Sequence, residues 1–409
     1  MSPVVAPAFA VTYAGMAIGR IPGLRIDRAG IALVAVALLL VTGTTDVHEI
    51  GRAVDGETLV LLFALMVVSA QFALSGFYDR CVARIIGADV TPMGLLALTV
   101  AIGGVLSAML ANDIVVFAMT PLLCVGLERR SLNPKPFLLA LAGAANAGSA
   151  ATVIGNPQNI LIGQVGHLGF LPFFAVCGVP ALVSLGLVFL VVAYLFRDQL
   201  RPDSGLGPVT VAAAVDSRQA WKGVIAVAVL VAMFVLPVPR AVSAMAVAGL
   251  LMLSRRNTTR ALLGGVDWPL LVLFLCLFTV TAVFGQSEGA ARALAWLNAH
   301  GWRPDGIAIV APLALAMSNT IGNVPAVILI TAAWPDLSSG AFYALALFST
   351  LAGNLMLVGS VANLIVAERA SAAGIRVSFG DFARTGIPIT AASFAAAAFW
   401  LWVVGAAPW

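Results

Sequence analysis

Long apolar runs recur along the whole chain and are separated by short charged stretches. Bilayer hydrocarbon is roughly 30 Å thick, so a helix of about 20 apolar residues can cross it. The pattern therefore predicts an all-α polytopic membrane protein, in which the apolar runs are crossings and the charged stretches are connections. The ten predicted crossings are residues 4–19, 29–45, 57–76, 136–164, 168–196, 219–237, 240–254, 268–286, 340–366 and 380–403.

Two further apolar stretches, residues 91–127 and 304–333, carry polar residues in their middles. We interpret each as a re-entrant helical hairpin that enters and leaves the membrane on the same side. With this topology 18 of the 22 Lys and Arg residues fall on one side of the membrane. Because basic residues concentrate in cytoplasmic loops, that side is the cytoplasm. The prediction is a multi-pass protein of the plasma membrane with both termini outside the cytoplasm.

The two halves of the chain share a pattern of polar positions. Asn112 in the first hairpin and Asn323 in the second are 211 residues apart, and Gly155–Asn159 matches Gly359–Asn363 as Gly-x-x-x-Asn at an offset of 204. Each predicted half has five crossings, an odd number, so the second copy should be inverted relative to the first. The predicted organisation is a first inverted repeat at 1–196, a cytoplasmic linker at 197–218 and a second inverted repeat at 219–409.

One predicted crossing in each half is interrupted by residues that break helices, among them Gly155, Pro157 and Gly359. A helix broken inside the membrane exposes N–H groups that attract anions, and carbonyls that suit a cation. Asparagine adds a donor and an acceptor without a charge. The predicted solute- and ion-binding residues of the hairpins and breaks are Asn112, Asp113, Ser149, Thr152, Gly155, Asn156, Asn159, Ser318, Asn319, Asn323, Asn354, Gly359, Ser360 and Asn363.

Asp113 differs from its counterpart in the second half, which is Val324. A carboxylate deep in a membrane is costly unless it is paired, hydrated or protonated, so an acidic residue there indicates a function. Asp113 is therefore the predicted proton carrier. The alternative is a cap of the hairpin tip, with the carboxylate accepting from backbone N–H groups, and the two roles are compatible. Asn112 and Asn159 are the candidate ligands of a coupling Na⁺.

Composition and residue spacing exclude several other classes of protein. Apolar residues make up 61% of the chain and charged residues 10%, too few charges to cover a soluble domain. The four cysteines and three histidines are dispersed, so no zinc site and no cofactor beyond H⁺ or Na⁺ is predicted. The sequence shows neither a metal motif nor a paired base and nucleophile, which argues against an enzyme. The basic residues are concentrated on the predicted cytoplasmic side of the membrane. This topology explains their distribution, so no nucleic acid is predicted as a partner.

Four segments of the chain resemble motifs of the ion transporter superfamily, namely Ala111–Asp113, Gly148–Asn159, Ser318–Pro325 and Leu351–Asn363. They are most similar to the branch of arsenite permeases and sodium–proton antiporters, and more distantly to citrate and dicarboxylate carriers. The resemblance implies two inverted repeats and a solute site between the hairpin tips and broken helices. It also implies an elevator-like movement of a transport domain against a scaffold, often within a homodimer.

The hairpin tips narrow the predicted substrate. Ser318–Thr320 looks like the Ser-Asn-Thr signature of dicarboxylate carriers, yet the repeat aligns Asn323 rather than Asn319 with Asn112. No Arg or Lys lies in either tip to pair with a di- or tricarboxylate. The predicted function is proton-coupled secondary transport of a small inorganic anion or oxyacid, such as arsenite, through the lipid bilayer. A Na⁺/H⁺ antiporter and an importer of an organic carboxylate are the alternatives.

Overall fold

The computed structural model describes residues 4–19, 25–201, 207 and 215–407, and over these residues the protein is all-helical. The helices of the first half are α1 (Val5–Ile18), α2 (Arg28–Val41), α3 (Val47–Ala53), α4 (Gly56–Leu74), α5 (Phe77–Ile86), α6 (Pro92–Met109), α7 (Asn112–Arg129), α8 (Lys135–Ser149), α9 (Pro157–Val165) and α10 (Phe170–Leu195). Those of the second half are α11 (Ser217–Val235), α12 (Arg240–Met252), α13 (Thr259–Gly264), α14 (Trp268–Gly285), α15 (Glu288–Ala299), α16 (Ile307–Thr320), α17 (Asn323–Ala333), α18 (Ser339–Ala352), α19 (Val361–Ala372) and α20 (Phe379–Val403). Short 3₁₀ turns lie at Arg197–Gln199 and Leu357–Gly359.

Every predicted crossing coincides with one of these helices, or with the two halves of a broken one, which confirms the all-α class. Within the described part of the chain, six helices are long and apolar enough to cross a bilayer: α4, α6, α10, α11, α14 and α20. The predicted linker at 197–218 lies largely outside the described residues. Three short helices, α3, α13 and α15, were not predicted, because they connect crossings and carry no long apolar run.

Both predicted hairpins and both predicted breaks are present as interruptions of helices. In the first hairpin α6 and α7 are joined by Leu110 and Ala111, and in the second α16 and α17 are joined by Ile321 and Gly322. Gly322 has a φ of 98°, a left-handed conformation that glycine adopts without strain. The first break separates α8 from α9, and the second separates α18 from α19. The re-entrant path of the hairpins stays a prediction.

Side-chain caps determine where the helices beside the breaks and hairpins begin. Asp55 accepts from the backbone N–H of Thr58 at the start of α4, and Asp267 accepts from that of Leu270 at the start of α14. Both residues occupy the same position in their halves of the chain. Asn156 caps α9 in the same way, accepting from the N–H three residues further on.

The interior of the protein is formed by α8 and α18, the first segments of the two broken helices. Every residue of Pro136–Ser149 and of Ala341–Ala352 is buried. In contrast, only about a third of the residues in the apolar, membrane-spanning stretches of α10, α11 and α20 are buried. The apolar residues that these outer helices expose are suited to contact with lipid.

The packing of the first half is repeated in the second. Helix α6 packs against α8 and α16 against α18, while α7 packs against α19 and α17 against α9. Likewise, α2 packs against α14 and α12 against α4. Each contact has a counterpart obtained by exchanging the two halves, which supports the predicted duplication. The inversion of one copy relative to the other in the membrane stays a prediction.

Candidate solute site

Two adjoining cavities lie between the hairpins and the broken helices. The smaller has a volume of about 80 Å³ and the larger of about 310 Å³, and Asn112 and Asp113 line both of them. The smaller cavity is bounded by both hairpin tips and by both breaks. Its polar and charged lining residues are Arg28, Asn112, Asp113, Gln158, Asn323 and Ser360.

The N-termini of four helices meet at the smaller cavity. Helix α7 begins at Asn112, α9 at Pro157, α17 at Asn323 and α19 at Val361, and all four residues line it. The first N–H groups of a helix lack partners within it, and the helix dipole makes this end partially positive. A cavity surrounded by such ends suits an anion or the partially negative oxygens of a polar solute.

Asp113 places its half-buried side chain at the junction of the two cavities. Its backbone N–H donates to Asn112 Oδ1 at 3.0 Å. Over the described residues, the carboxylate has no ion pair and accepts no hydrogen bond from a backbone N–H, so the alternative role as a cap is not observed. Asp267 lines the larger cavity together with Asp113. The sequence analysis did not predict that these two carboxylates would share a space.

Asn323 has the position in the second hairpin that Asn112 has in the first, as the first residue of the returning helix. The orientation of its amide is assigned from its neighbours: with the nitrogen turned towards the surrounding acceptors, Nδ2 donates to the carbonyls of Gly359 at 2.9 Å and Ser349 at 3.2 Å, and to Ser318 Oγ at 3.3 Å. Asn319 lines neither cavity, and its Nδ2 donates to two backbone carbonyls at 3.0 and 3.1 Å. The alignment of the repeats therefore correctly identified Asn323 as the residue that lines the cavity, whereas the Ser-Asn-Thr string would have pointed to Asn319.

Asn159 and Asn363 lie inside the breaks, and neither lines either of these two cavities. Asn159 Nδ2 donates to the carbonyls of Ser149 and Thr152, both at 3.2 Å. Asn363 Nδ2 donates to the carbonyls of Gly353 at 2.7 Å and Met356 at 3.0 Å. These two carbonyls lie 204 residues after those of Ser149 and Thr152. These amides satisfy carbonyls that the breaks leave without helical partners. Of the predicted site asparagines, Asn112 and Asn323 line the smaller cavity and Asn112 and Asn156 line the larger one, so Asn112 and Asn159 do not face a common cavity.

Asn146 joins the first half to the second break. Its Nδ2 donates to Asn354 Oδ1 at 3.0 Å and to Asn363 Oδ1 at 3.1 Å, and its Oδ1 accepts from Ser360 Oγ at 2.8 Å. All four side chains are buried. A residue of α8 thus holds both ends of the interruption between α18 and α19.

Thr350 makes the reciprocal connection from the second half to the first break. Its Oγ1 accepts from Asn156 Nδ2 at 3.1 Å and from Gln158 Nε2 at 3.3 Å, and it donates to Asn159 Oδ1 at 3.2 Å. Thr350 is 204 residues after Asn146, the same offset as between the breaks. The sequence analysis predicted neither connecting residue as part of the site, because the two positions carry different residue types and so show no match.

The remaining predicted residues of the first break shape it locally. Ser149 Oγ accepts from Asn156 Nδ2 at 3.1 Å, and Thr152 Oγ1 donates to the carbonyl of Ala108 in α6. A Cβ atom at Gly155 would overlap the backbone of Ser149, so only glycine fits there. These contacts hold the break against the first hairpin, while the wall of the smaller cavity comes from the residues that follow.

Arg28, the first residue of α2, also lines the smaller cavity. Its Nε donates to the carbonyl of Met16 at 3.0 Å. The hairpin tips carry no basic residue, as the sequence predicted, yet the fold brings one to the cavity from a helix far away in the chain. Sequence analysis had counted Arg28 only among the cytoplasmic positive charges.

The fold and the cavity define a polytopic helical membrane transporter in which paired hairpins and paired broken helices surround a common space. Residues 13–340 match the citrate transporter family, and the chain belongs to this family. The predicted resemblance to the ion transporter superfamily is thereby confirmed.

Similar proteins extend over nearly the whole chain. A 46 kDa membrane protein of Mycobacterium leprae is 29% identical, covering 98% of this chain and 99% of its own length. The silicon efflux transporter LSI3 of Oryza sativa subsp. japonica is 26% identical over 94% of each chain, and a transporter of Dictyostelium discoideum named arsB is 24% identical over 90% and 86%. The crystal structure of the Alcanivorax borkumensis YdaH transporter has a similar fold, with a TM-score of 0.61 at 16% identity, covering 99% of this chain and 97% of that one.

Proposed function

We propose that this protein is a proton-coupled secondary active transporter that moves a small inorganic anion or oxyacid across the plasma membrane. The convergence of four helix N-termini on one small cavity carries this proposal. A volume of about 80 Å³ corresponds to roughly three water molecules, so a solute of a few heavy atoms fits. The elevator movement and the homodimer implied by the family resemblance are part of the proposal.

The larger cavity argues against citrate as the solute. Its volume of about 310 Å³ is sufficient for an organic acid. However, its lining contains the carboxylates of Asp113 and Asp267, and no basic residue among those described. Two carboxylates repel a tricarboxylate, whereas a neutral oxyacid or a proton can pass them. The relatives named for silicon efflux and for arsB point to the same inorganic class of solute.

Asp113 is proposed as the proton carrier. It lies at the junction of the two cavities, its carboxylate has no ion-pair partner among the described residues, and it follows the first cavity asparagine directly. The negative charge of a carboxylate in this position competes with an anionic or oxygen-rich solute for the partially positive helix N-termini around the cavity. Protonation removes that competition, which provides a physical link between proton binding and solute binding.

The proposal can be tested by reconstituting the purified protein in proteoliposomes and imposing a pH gradient. Uptake of arsenite, antimonite, silicate, Na⁺ and citrate is measured with and without the gradient. We expect the gradient to accelerate flux of an inorganic oxyacid or anion, and Asp113→Asn to remove that acceleration while the protein remains folded. The control is Glu128→Gln, which neutralises an exposed carboxylate on the same helix α7 and should leave the coupling unchanged.

Gradient-dependent flux in Asp113→Asn equal to that of the wild type would refute the role of Asp113. If Na⁺ flux alone responds to the gradient, the protein is a Na⁺/H⁺ antiporter and the proposed solute class is wrong. Thermal unfolding in the presence of the same solutes provides an independent measurement. A true ligand raises the melting temperature in a concentration-dependent way because it binds only the folded state.

A further inference from the structure

Arg28 brings a positive charge to the smaller cavity. Its side chain is half-buried and packs at the end of α1, where Nε donates to the carbonyl of Met16. Within the described part of the chain, no carboxylate lies within 4.0 Å of its guanidinium. Removing a guanidinium from water without a counter-ion is costly. Among the described residues, therefore, no carboxylate accompanies the Arg28 guanidinium.

The contact with Met16 does not account for this position. A guanidinium has five N–H donors, and the hydrogen bond from Nε uses one of them. The remaining four belong to the two terminal NH₂ groups, which form the fork that binds oxyanions in a bidentate manner. Asp113 lines the same cavity but forms no ion pair with Arg28, so the two charges do not neutralise each other by direct contact.

We propose that Arg28 is a specificity-determining residue that makes this site select a monovalent oxyanion over a neutral oxyacid, an inference that rests on the proposed transport function. The helix N-termini provide N–H groups that serve the oxygens of either solute. Arg28 adds a full positive charge, which attracts an anion but not a neutral acid. When Asp113 is protonated, the charges on the two side chains sum to about +1, which a single negative charge neutralises.

Thermal unfolding of the purified full-length protein tests this inference. Arsenate and phosphate serve as anionic probes and arsenous and silicic acids as neutral probes, at a mildly acidic pH where both anions are mainly singly charged. The anions should stabilise the wild type at lower concentrations than the neutral acids do. Arg28→Gln should weaken anion binding by about ten- to a hundredfold, the range for a charge-assisted interaction, and leave neutral-acid binding unchanged.

Two further variants separate charge from structure. Arg28→Lys keeps the positive charge but loses the fork, so anion binding should lie between those of the wild type and Arg28→Gln. Arg25→Gln removes an exposed positive charge three residues earlier and should leave both classes of probe unaffected. An anion affinity lowered equally by Arg25→Gln and Arg28→Gln would indicate a general surface charge effect and overturn the inference.

The wild type alone also decides the question, whether or not Arg28→Gln folds. Equal or greater stabilisation by the neutral acids would overturn the inference without any variant. The proposed function fails by a different result, the absence of gradient-dependent flux of every probe in proteoliposomes. Anion binding that Arg28→Gln leaves unchanged would contradict the role of Arg28, while gradient-dependent flux of any of these probes would preserve the proposed function.

Discussion

Replacing Asn146 with leucine should destabilise the protein more than any other change of similar volume in α8. The asparagine is 1% exposed and makes three side-chain hydrogen bonds to the second break. Leucine fills a similar space and leaves Asn354, Ser360 and Asn363 with unmatched polar atoms. Hydrogen bonds between membrane helices contribute about 0.6 to 1.7 kcal/mol each, so the three together correspond to about 2 to 5 kcal/mol.

The loss can be measured by equilibrium unfolding in mixed micelles with increasing SDS. The matched control is Ser184→Ala in α10, because Ser184 is fully buried and its hydroxyl has no hydrogen-bond partner among the described residues. Removing an unpartnered hydroxyl should change the free energy of unfolding by less than about 0.5 kcal/mol, or stabilise the protein slightly. A loss in Asn146→Leu no greater than in Ser184→Ala would refute the reasoning.

A double-mutant cycle isolates the interaction itself. Asn146→Ala and Ser360→Ala each break the bond between Asn146 Oδ1 and Ser360 Oγ, which is 2.8 Å long. Because the second change removes an interaction that the first has already lost, the double variant should be more stable than the sum of the single losses predicts, by at least about 0.5 kcal/mol. Additive losses would show that the two side chains do not stabilise the connection between α8 and the second break.

Two other sites give sharp expectations in the same unfolding assay. A Cβ at Gly148 would overlap the backbone of Gly104 in α6, so Gly148→Ala should lose about 1 to 3 kcal/mol. Gly186→Ala, in open space on α10, should be neutral or slightly stabilising, and equal effects at both sites would contradict close packing of α6 on α8. Arg130 is buried and its guanidinium donates to three backbone carbonyls between α5 and α6, so Arg130→Lys should lose about 1 to 2 kcal/mol. The exposed neighbour Arg129 provides the control, and an equal loss in Arg129→Lys would refute a special role of the buried fork.

The local elements of this fold could be predicted from the sequence because a membrane leaves few choices. Backbone groups in hydrocarbon must find partners within their own helix, so an apolar run of sufficient length indicates a crossing. For the same reason, Gly155 and Pro157 in such a run indicate a break lined by protein. The short helices α3, α13 and α15 escaped prediction because they lie outside the long apolar runs, where this constraint does not act.

The sequence by itself therefore determined the long apolar helices, the four places where helices are interrupted and the presence of one acidic residue at one of them. Tertiary structure decided which polar side chains reach the cavity. Asn159 and Asn363 carry the same residue type as Asn112 and Asn323, yet their amides bond to carbonyls inside the breaks. The direction of a side chain depends on partners that packing supplies, and here each Oδ1 also accepts from the opposite half of the chain, from Thr350 and Asn146 respectively. For the same reason Arg28 reaches the cavity from a helix whose own sequence gives no sign of it.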